Sequence, residues 1–404
     1  MTYDLIIRNG RLRGRKQPVD IGIAGGVFAK IARKIPERAR KVIRANGCLV
    51  TESFVNPHLH LDKVYTVGML DSRAIEAYHG GEMGAAMSAI EQAARVKEKY
   101  DPLWILKNVR KALRLAARFG NTHIRAFADV DSKAKLIGVK ALLKAREEFS
   151  GVVDVQVVAF PQDGIVREPG TTDLIRQAME LGADVVGGIP WIEYTHDDER
   201  RHIDEMLEIA KAYDADVSML VDDAGDPGLR TLEMLAVRAI EEDWVDRCLA
   251  HHARAMSMYP EPYFRKVAAL LKKAGMGVVS DPHTGPLHAR VKELLAEGVS
   301  VALGQDDIAD AYYPFGRNNM LEVGFLGVHM LWMTTFPEME RIYDMITVDA
   351  ARVMNIESFG IRTGSPAHCV VLKVESVYDA LWHHEQPNHV ISHGKLVDPE
   401  GLPG

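Results

Sequence analysis

Cysteine is scarce: Cys48, Cys248 and Cys369 are the only three in 404 residues, and no Cys-x-x-Cys joins any of them. That excludes a disulfide framework and fits thiols kept reduced in a cytoplasm. Positive charge is short as well. Lysines and arginines number 49 against 56 acidic residues, the net charge is -7, and no basic stripe marks a nucleic-acid surface. No apolar run is long enough to span a bilayer, and the first dozen residues lack the basic, apolar and small-residue succession of a secretory signal. Low-complexity tracts and short-period repeats are missing. No Gly-x-Gly-x-x-Gly follows a strand-like run, which removes the main reason to expect a dinucleotide fold. These absences leave an expectation of a cytoplasmic protein with no membrane or nucleic-acid partner. A homo-oligomer is left open.

What the chain does contain, from Thr122 onward, is an apolar strand, a polar end and an amphipathic helix, repeated. The strands read at 122–130, 152–162, 183–190, 215–223, 247–253, 276–282 and 300–307, and 49–60 ahead of them makes eight. Leu136, Val139 and Leu143 line one intervening helix face, and Ile203, Met206, Leu207 and Ala210 another. Eight short-linked strand–helix units predict an α/β fold, a (β/α)8 TIM-type barrel over residues 51–360. Short β-like runs before residue 50 resume at 369–374 and 389–392. The two ends, 1–50 and 361–404, are therefore expected to form one small β-sandwich-like domain. Helices are expected at Pro102–Phe119, 321–333 and 338–354. The irregular stretch from about 65 to 99, with His79-Gly80-Gly81 and Gly84, reads as a lid over a site.

In such barrels the chemistry sits where strands end. The first strand delivers His58 and His60, which a two-residue period places on one face. The third delivers Gln162 and Asp163, the fifth Asp222-Asp223, the sixth His251-His252 and the eighth Gln305-Asp306-Asp307. Imidazoles with carboxylates are what zinc or iron(II) accepts. A bound cation lowers the pKa of its water, and a neighbouring carboxylate can shuttle the proton. Strict alternation lets one of His251 and His252, and one of Asp306 and Asp307, face the lumen. Other readings stand beside these. Two histidines on a solvated strand face look the same, Asp222-Asp223 before Gly225-Asp226-Pro227 reads as turn and N-cap chemistry, and Gln162 as a loop residue serving backbone groups. His383-His384-Glu385 lacks a Pro-Cys-x-x-Cys partner, and Pro387 and Asn388 spoil a His-Glu-x-x-His helix.

Four stretches carry a family resemblance: Phe54-Val55-Asn56-Pro57-His58-Leu59-His60-Leu61-Asp62-Lys63, Val158-Ala159-Phe160-Pro161-Gln162-Asp163-Gly164, Gly182-Ala183-Asp184-Val185-Val186-Gly187-Gly188-Ile189-Pro190, and Gln305-Asp306-Asp307 with Tyr313-Pro314-Phe315-Gly316. With them the chain resembles, over nearly its whole length, the amidohydrolase superfamily and within it the cytosine deaminase group, which includes N-isopropylammelide isopropylaminohydrolase. The resemblance implies a hydrolase, a deaminase or cyclic-amide hydrolase, acting on a small nitrogen heterocycle. It implies one divalent metal, zinc or iron(II), on His58, His60 and Asp306, with His252 beside the attacked carbon. Gln162 is implied to bind the ring, Asp223 to move protons, and Asp307 and Tyr312 to contact substrate. The chain departs from the pattern at Leu220, where the family carries a fifth-strand ligand histidine, and at Phe127, where the second strand usually carries histidine. Asp223 stands for the usual glutamate, and Ile189-Pro190 offers no lysine for a two-metal variant. His252 or Asp222 is then expected to complete the metal shell. The alternatives are a member that has lost its metal and binds a ligand without turnover, or one that uses Asp223 and His252 as an acid/base pair without metal.

Overall fold

The computed structural model describes residues 2–69 and 94–404. Residues 70–93, which hold His79-Gly80-Gly81 and Gly84 of the expected lid, lie outside the described residues. The chain starts with five short strands, β1 (Tyr3–Leu12), β2 (Val19–Ala24), β3 (Val27–Ala32), β4 (Ala39–Arg44) and β5 (Leu49–Glu52). Eight barrel strands follow: β6 (Phe54–His60), β7 (Asn121–Asp129), β8 (Asp154–Phe160), β9 (Val185–Gly188), β10 (Asp216–Val221), β11 (Cys248–His252), β12 (Gly277–Ser280) and β13 (Val301–Leu303). After the last barrel helices come β14 (Cys369–Val371), β15 (His389–Ser392) and β16 (Lys395–Leu396).

Neighbours from β6 to β13 pair in parallel, in sequence order. The circle closes where the His60 N–H donates to the Asp306 carbonyl at 2.8 Å and the Asp306 N–H to the His58 carbonyl at 2.9 Å. Helices cover the outside, so β6 and β7 are buried at every position, as strands of a parallel sheet are. Inside, Arg125 fills the lumen beneath the site, donating from Nε to Gln156 at 2.9 Å and from Nη1 to Ser218 at 3.0 Å. Two residues on, Phe127 lies against His58. The helix Pro102–Phe119 shows how sequence sets the outer layer. Asp101 accepts from the N–H groups of Leu103 and Trp104, Pro102 needs no donor at the first turn, and Ile105, Val109, Ala112 and Ala116 face inward. Gly120 ends the helix at φ 85°, and a Cβ there would also meet Val370 Cγ1 at 2.6 Å.

Two expected elements divide. The run 49–60 splits at Ser53: β5 pairs with β1 and β14, while β6 pairs with β7, so the chain changes sheets within two residues. The expected helix 338–354 becomes Phe336–Met345 and Val348–Val353. Between them the Ile346 carbonyl accepts from the Val55 N–H of β6 at 3.1 Å, the Thr347 hydroxyl donates to the Tyr343 carbonyl at 2.7 Å, and Thr347 leaves the helical conformation at φ -134° and ψ -100°.

The chain ends share one sheet in the order β16-β15-β14-β5-β1-β2-β3, with β4 also on β1. β1 is irregular between Ile7 and Gly10, pairing with β2 and β4 before that point and with β5 at its end. Both halves face a common core in which Leu5, Ile7, Ile21 and Phe28 meet Val50, Val371 and Ile391. No helix among the described residues is long and apolar enough to cross a membrane.

Candidate active site

The C-terminal ends of the strands gather the titratable side chains on one barrel face. His58 and His60 project from β6 into the lumen, both buried. Three imidazole Nε2 atoms converge on a single oxygen: Asp306 Oδ1 lies 3.1 Å from His58, 3.8 Å from His60 and 3.8 Å from His252. The other carboxylate oxygen of Asp306 accepts from the Thr284 hydroxyl at 2.7 Å. Burial holds the His60, His251 and His252 rings well below the usual imidazole range, so they are neutral at physiological pH. Burial also works to raise Asp306, yet His252 and His58 hold it well below the usual carboxylate range.

Both members of the two paired sets lie inside, against the expectation from alternation. His251 Nδ1 is 2.7 Å from His58 Nδ1, and its ring packs on Phe127 at 5.1 Å, while His252 lines the cavity. Asp306 and Asp307 both line that cavity too. The reason is backbone conformation: His252, Ala253 and Asp306 have φ of 65°, 48° and 66°, and the two-residue period of a strand ends at a left-handed residue.

The adjacent aspartates after β10 divide their work. Asp222 turns away from the imidazoles: it accepts from the Thr231 N–H and hydroxyl, each at 2.7 Å, and from the Tyr259 hydroxyl. It ties the start of the helix Thr231–Glu241 to the end of β10, although the N-cap position itself is Arg230, and with both oxygens taken there it does not complete a metal shell as expected. Replacing it with alanine would take the acceptor from the Thr231 N–H and hydroxyl and the nearer one from the Tyr259 hydroxyl, and is expected to cost about 1–3 kcal/mol in urea unfolding. Metal content should not change in that variant, and its loss would return Asp222 to the site. Asp223 lines the cavity, its Oδ1 accepting from Arg254 Nη1 at 2.8 Å and its Oδ2 4.0 Å from His252 Nε2. Burial pushes Asp223 up to about 7, with Arg254 pulling it down and Asp306 pushing it further up.

The cavity is a small one at the C-terminal ends of the strands, bounded by His60, Asp223, His252, Asp306 and Asp307. Gln162, Trp191, Leu220 and Tyr312 share its wall with His60 and the carboxylates. Leu220 therefore occupies the site surface itself. Phe127 packs 4.4 Å from His58 and 5.4 Å from His60, ring centre to ring centre. Behind His60, Lys63 Nζ stands 3.2 Å from Nδ1 and 2.6 Å from Asp129. Sequence reasoning missed Asp281, Arg254 and Lys63 as parts of this site. Asp281 ends the seventh strand, whose terminus offered the same signal as the others, and Arg254 follows His252 by two positions.

A divalent cation fits these residues. His58 Nε2 and both Asp281 oxygens are buried without a hydrogen-bond partner among the described residues, which calls for something to satisfy them. The donor atoms of His58, His60 and Asp306 lie within 4.8 Å of one another, as do those of His58, His252 and Asp281. Neutral imidazoles with a carboxylate are the donor set of zinc or iron(II).

Residues 41–398 match the model of the Amidohydrolase family. The chain is 31% identical over 396 residues to N-isopropylammelide isopropyl amidohydrolase of Pseudomonas sp. (strain ADP), covering 98% of this chain and 97% of that protein. It superposes on the crystal structure of 5-methylcytosine deaminase from Klebsiella pneumoniae liganded with 5-fluorocytosine, with a TM-score of 0.89, 30% identity and 97% of each chain covered. N-isopropylammelide isopropylaminohydrolase from Burkholderia multivorans ATCC 17616 gives 0.87 at 26% identity, with 98% of each chain covered. A strand-end site of this composition, a closed eight-stranded barrel and a match over most of its length together place the chain in the amidohydrolase family, hydrolytic enzymes that act on C–N bonds and generally depend on a divalent metal.

Proposed function

We propose that the chain hydrolyses an exocyclic amine, or a ring amide, of a small nitrogen heterocycle, with one divalent cation, zinc or iron(II), held by His58, His60 and Asp306. The observation that carries this reading is the convergence of buried imidazole nitrogens on Asp306 Oδ1 at the wall of a cavity that also presents Gln162 and Asp223. When bound, the cation supplies a water of lowered pKa and an electrophilic centre. The side-chain amide of Gln162, donor and acceptor at once, orients the ring by its polar edge, and Tyr312 and Trp191 cover its faces. Asp223 takes a proton from the attacking water and returns it to the leaving nitrogen. The ring carbon gains a C–O bond and loses its C–N bond, and the amine departs with the proton. Asp307 lines the same cavity, where burial and Asp306 push its carboxyl well up, so that it offers a hydroxyl to a ring nitrogen.

The test is a screen of aminopyrimidines and amino-substituted triazines for ammonia or amine release by protein reconstituted with zinc or iron(II), beside protein stripped by chelator. Turnover by the reconstituted protein that stripping abolishes supports the reading. A protein that takes up neither metal removes it. Leu220 and Phe127, which make the imidazole surroundings apolar, favour a second reading in that event, a ligand-binding barrel without turnover. Heterocycle binding by calorimetry in the metal-free protein, with no product formed, would establish it.

A further inference from the structure

We propose that His252, oriented by Asp281, is a metal ligand in this chain and takes over the coordination position that Leu220 leaves without a donor. The inference rests on the metal-dependent reading above. Leu220 faces the cavity from β10 and carries no lone pair. On the next strand the left-handed backbone at His252 carries its ring into the lumen. Its Nε2 lies 3.8 Å from Asp306 Oδ1, the same separation as His60 Nε2. Four-coordinate zinc with bonds of about 2.0–2.1 Å spaces its donor atoms by about 3.3 Å, and the His252 ring, which already groups with His58 and Asp281, needs to move only about 0.5 Å toward Asp306 Oδ1 to meet that spacing.

Asp281 supplies the second observation. Its carboxylate is buried at the end of β12, both oxygens lack a hydrogen-bond partner among the described residues, and Oδ2 is 3.3 Å from His252 Nδ1. Space is kept for it: a Cβ on Gly304 would collide with Asp281 Oδ1 and approach His58 Cβ to 2.8 Å. A buried carboxylate is costly unless paired. Beside Nδ1 it favours the tautomer with the proton on Nδ1 and leaves the Nε2 lone pair facing Asp306. That is the carboxylate–histidine–metal relation found behind ligating histidines. Asp281 is thus a positioning residue and His252 the ligand.

The experiment measures zinc stoichiometry and affinity by equilibrium dialysis, and the visible spectrum of the cobalt(II)-substituted protein. It uses the unaltered chain, His252→Ala, Asp281→Asn and the double variant Leu220→His/His252→Ala. The unaltered chain is expected to hold about one zinc. Asp281→Asn is expected to weaken binding about 10–100-fold, and His252→Ala to weaken it further and alter the cobalt(II) bands. The double variant is expected to regain affinity, because it returns an imidazole to the fifth strand. That recovery also answers the objection that His252→Ala merely misfolds. Unchanged affinity and an unchanged cobalt(II) spectrum in His252→Ala would overturn the inference and leave the His58, His60 and Asp306 reading intact. An unaltered chain that binds no zinc, iron(II) or cobalt(II) would overturn both.

Discussion

Replacing Asp223 with asparagine is expected to lower kcat by about 10²–10⁴-fold, the range over which a positioned general acid/base acts. The substitution preserves shape and keeps an oxygen that can accept from Arg254 Nη1, 2.8 Å away in the unaltered site. What it removes is the capacity to hold a proton between the attacking water and the leaving nitrogen. KM and zinc content are therefore expected to change little, so the loss falls on kcat. Steady-state kinetics on the heterocycle found by screening, with metal analysis of the same preparation, reads this out. A loss of under tenfold would move proton transfer to another group. Asp307, which lines the same cavity, would be the first to test. A loss accompanied by missing metal would instead make Asp223 a residue that supports the ligand shell. The shorter reach of aspartate relative to glutamate is offset here by position: the carboxylate sits on the cavity wall, with Oδ2 4.0 Å from His252 Nε2.

The barrel was legible because its signal is repetitive. Eight apolar runs of strand length, each with a polar end, leave few other ways to bury that surface, and the candidates read from those ends, His58, His60, Gln162, Asp223, His252, Asp306, Asp307 and Tyr312, meet around one cavity or its floor. What escaped the sequence has a physical origin in each case. Alternation predicts facing only while the backbone stays extended, and the positive φ at His252 and Asp306 is imposed by how strand ends meet neighbouring loops. Asp222 and Asp223 look alike in sequence. They differ because Thr231 and Tyr259, nine and 37 positions away, capture the first of them. The split of 49–60 at Ser53 depends on which sheets receive the two halves, a choice made by β14 and β7 from distant parts of the chain. Likewise the break at Thr347 coincides with a bond from the Val55 N–H of β6 to the Ile346 carbonyl, a partner almost 300 positions away.

The largest effect on stability is expected from Lys63→Met. Lys63 is buried beside His60, with Nζ 2.6 Å from Asp129 Oδ1 and 3.7 Å from Asp62 Oδ1. Asp129 is buried as well, and beyond it Lys97 Nζ reaches Asp131 and Asp163, each at 2.6 Å, and Asp129 Oδ2 at 3.7 Å. Removing one partner of a buried pair leaves the other charge uncompensated and costs about 3–5 kcal/mol. Here the size of the loss depends on pH. Burial already pushes Asp129 up to about 7, with Lys63 pulling it down, so taking the ammonium away drives the carboxyl higher still. A carboxyl whose folded pKa is raised favours the folded state when protonated, and that contribution is lost as pH rises through the folded value. The variant therefore escapes most of its penalty at about pH 6, by binding a proton on Asp129, and bears about 2 kcal/mol more of it at about pH 8.5, at about 1.4 kcal/mol per pH unit. Urea unfolding of both proteins at the two pH values is expected to show a gap that widens with pH. An equal gap at both would show that Asp129 is not the group left exposed to the loss. The double variant Lys63→Met/Asp129→Asn is expected to recover much of the stability and to abolish the pH dependence of the gap, because the charge that Lys63 balances is then gone. Failure of that recovery would place the value of Lys63 in its contact with His60, 3.2 Å away, and would tie the fold of this corner to the site rather than to the ion pair.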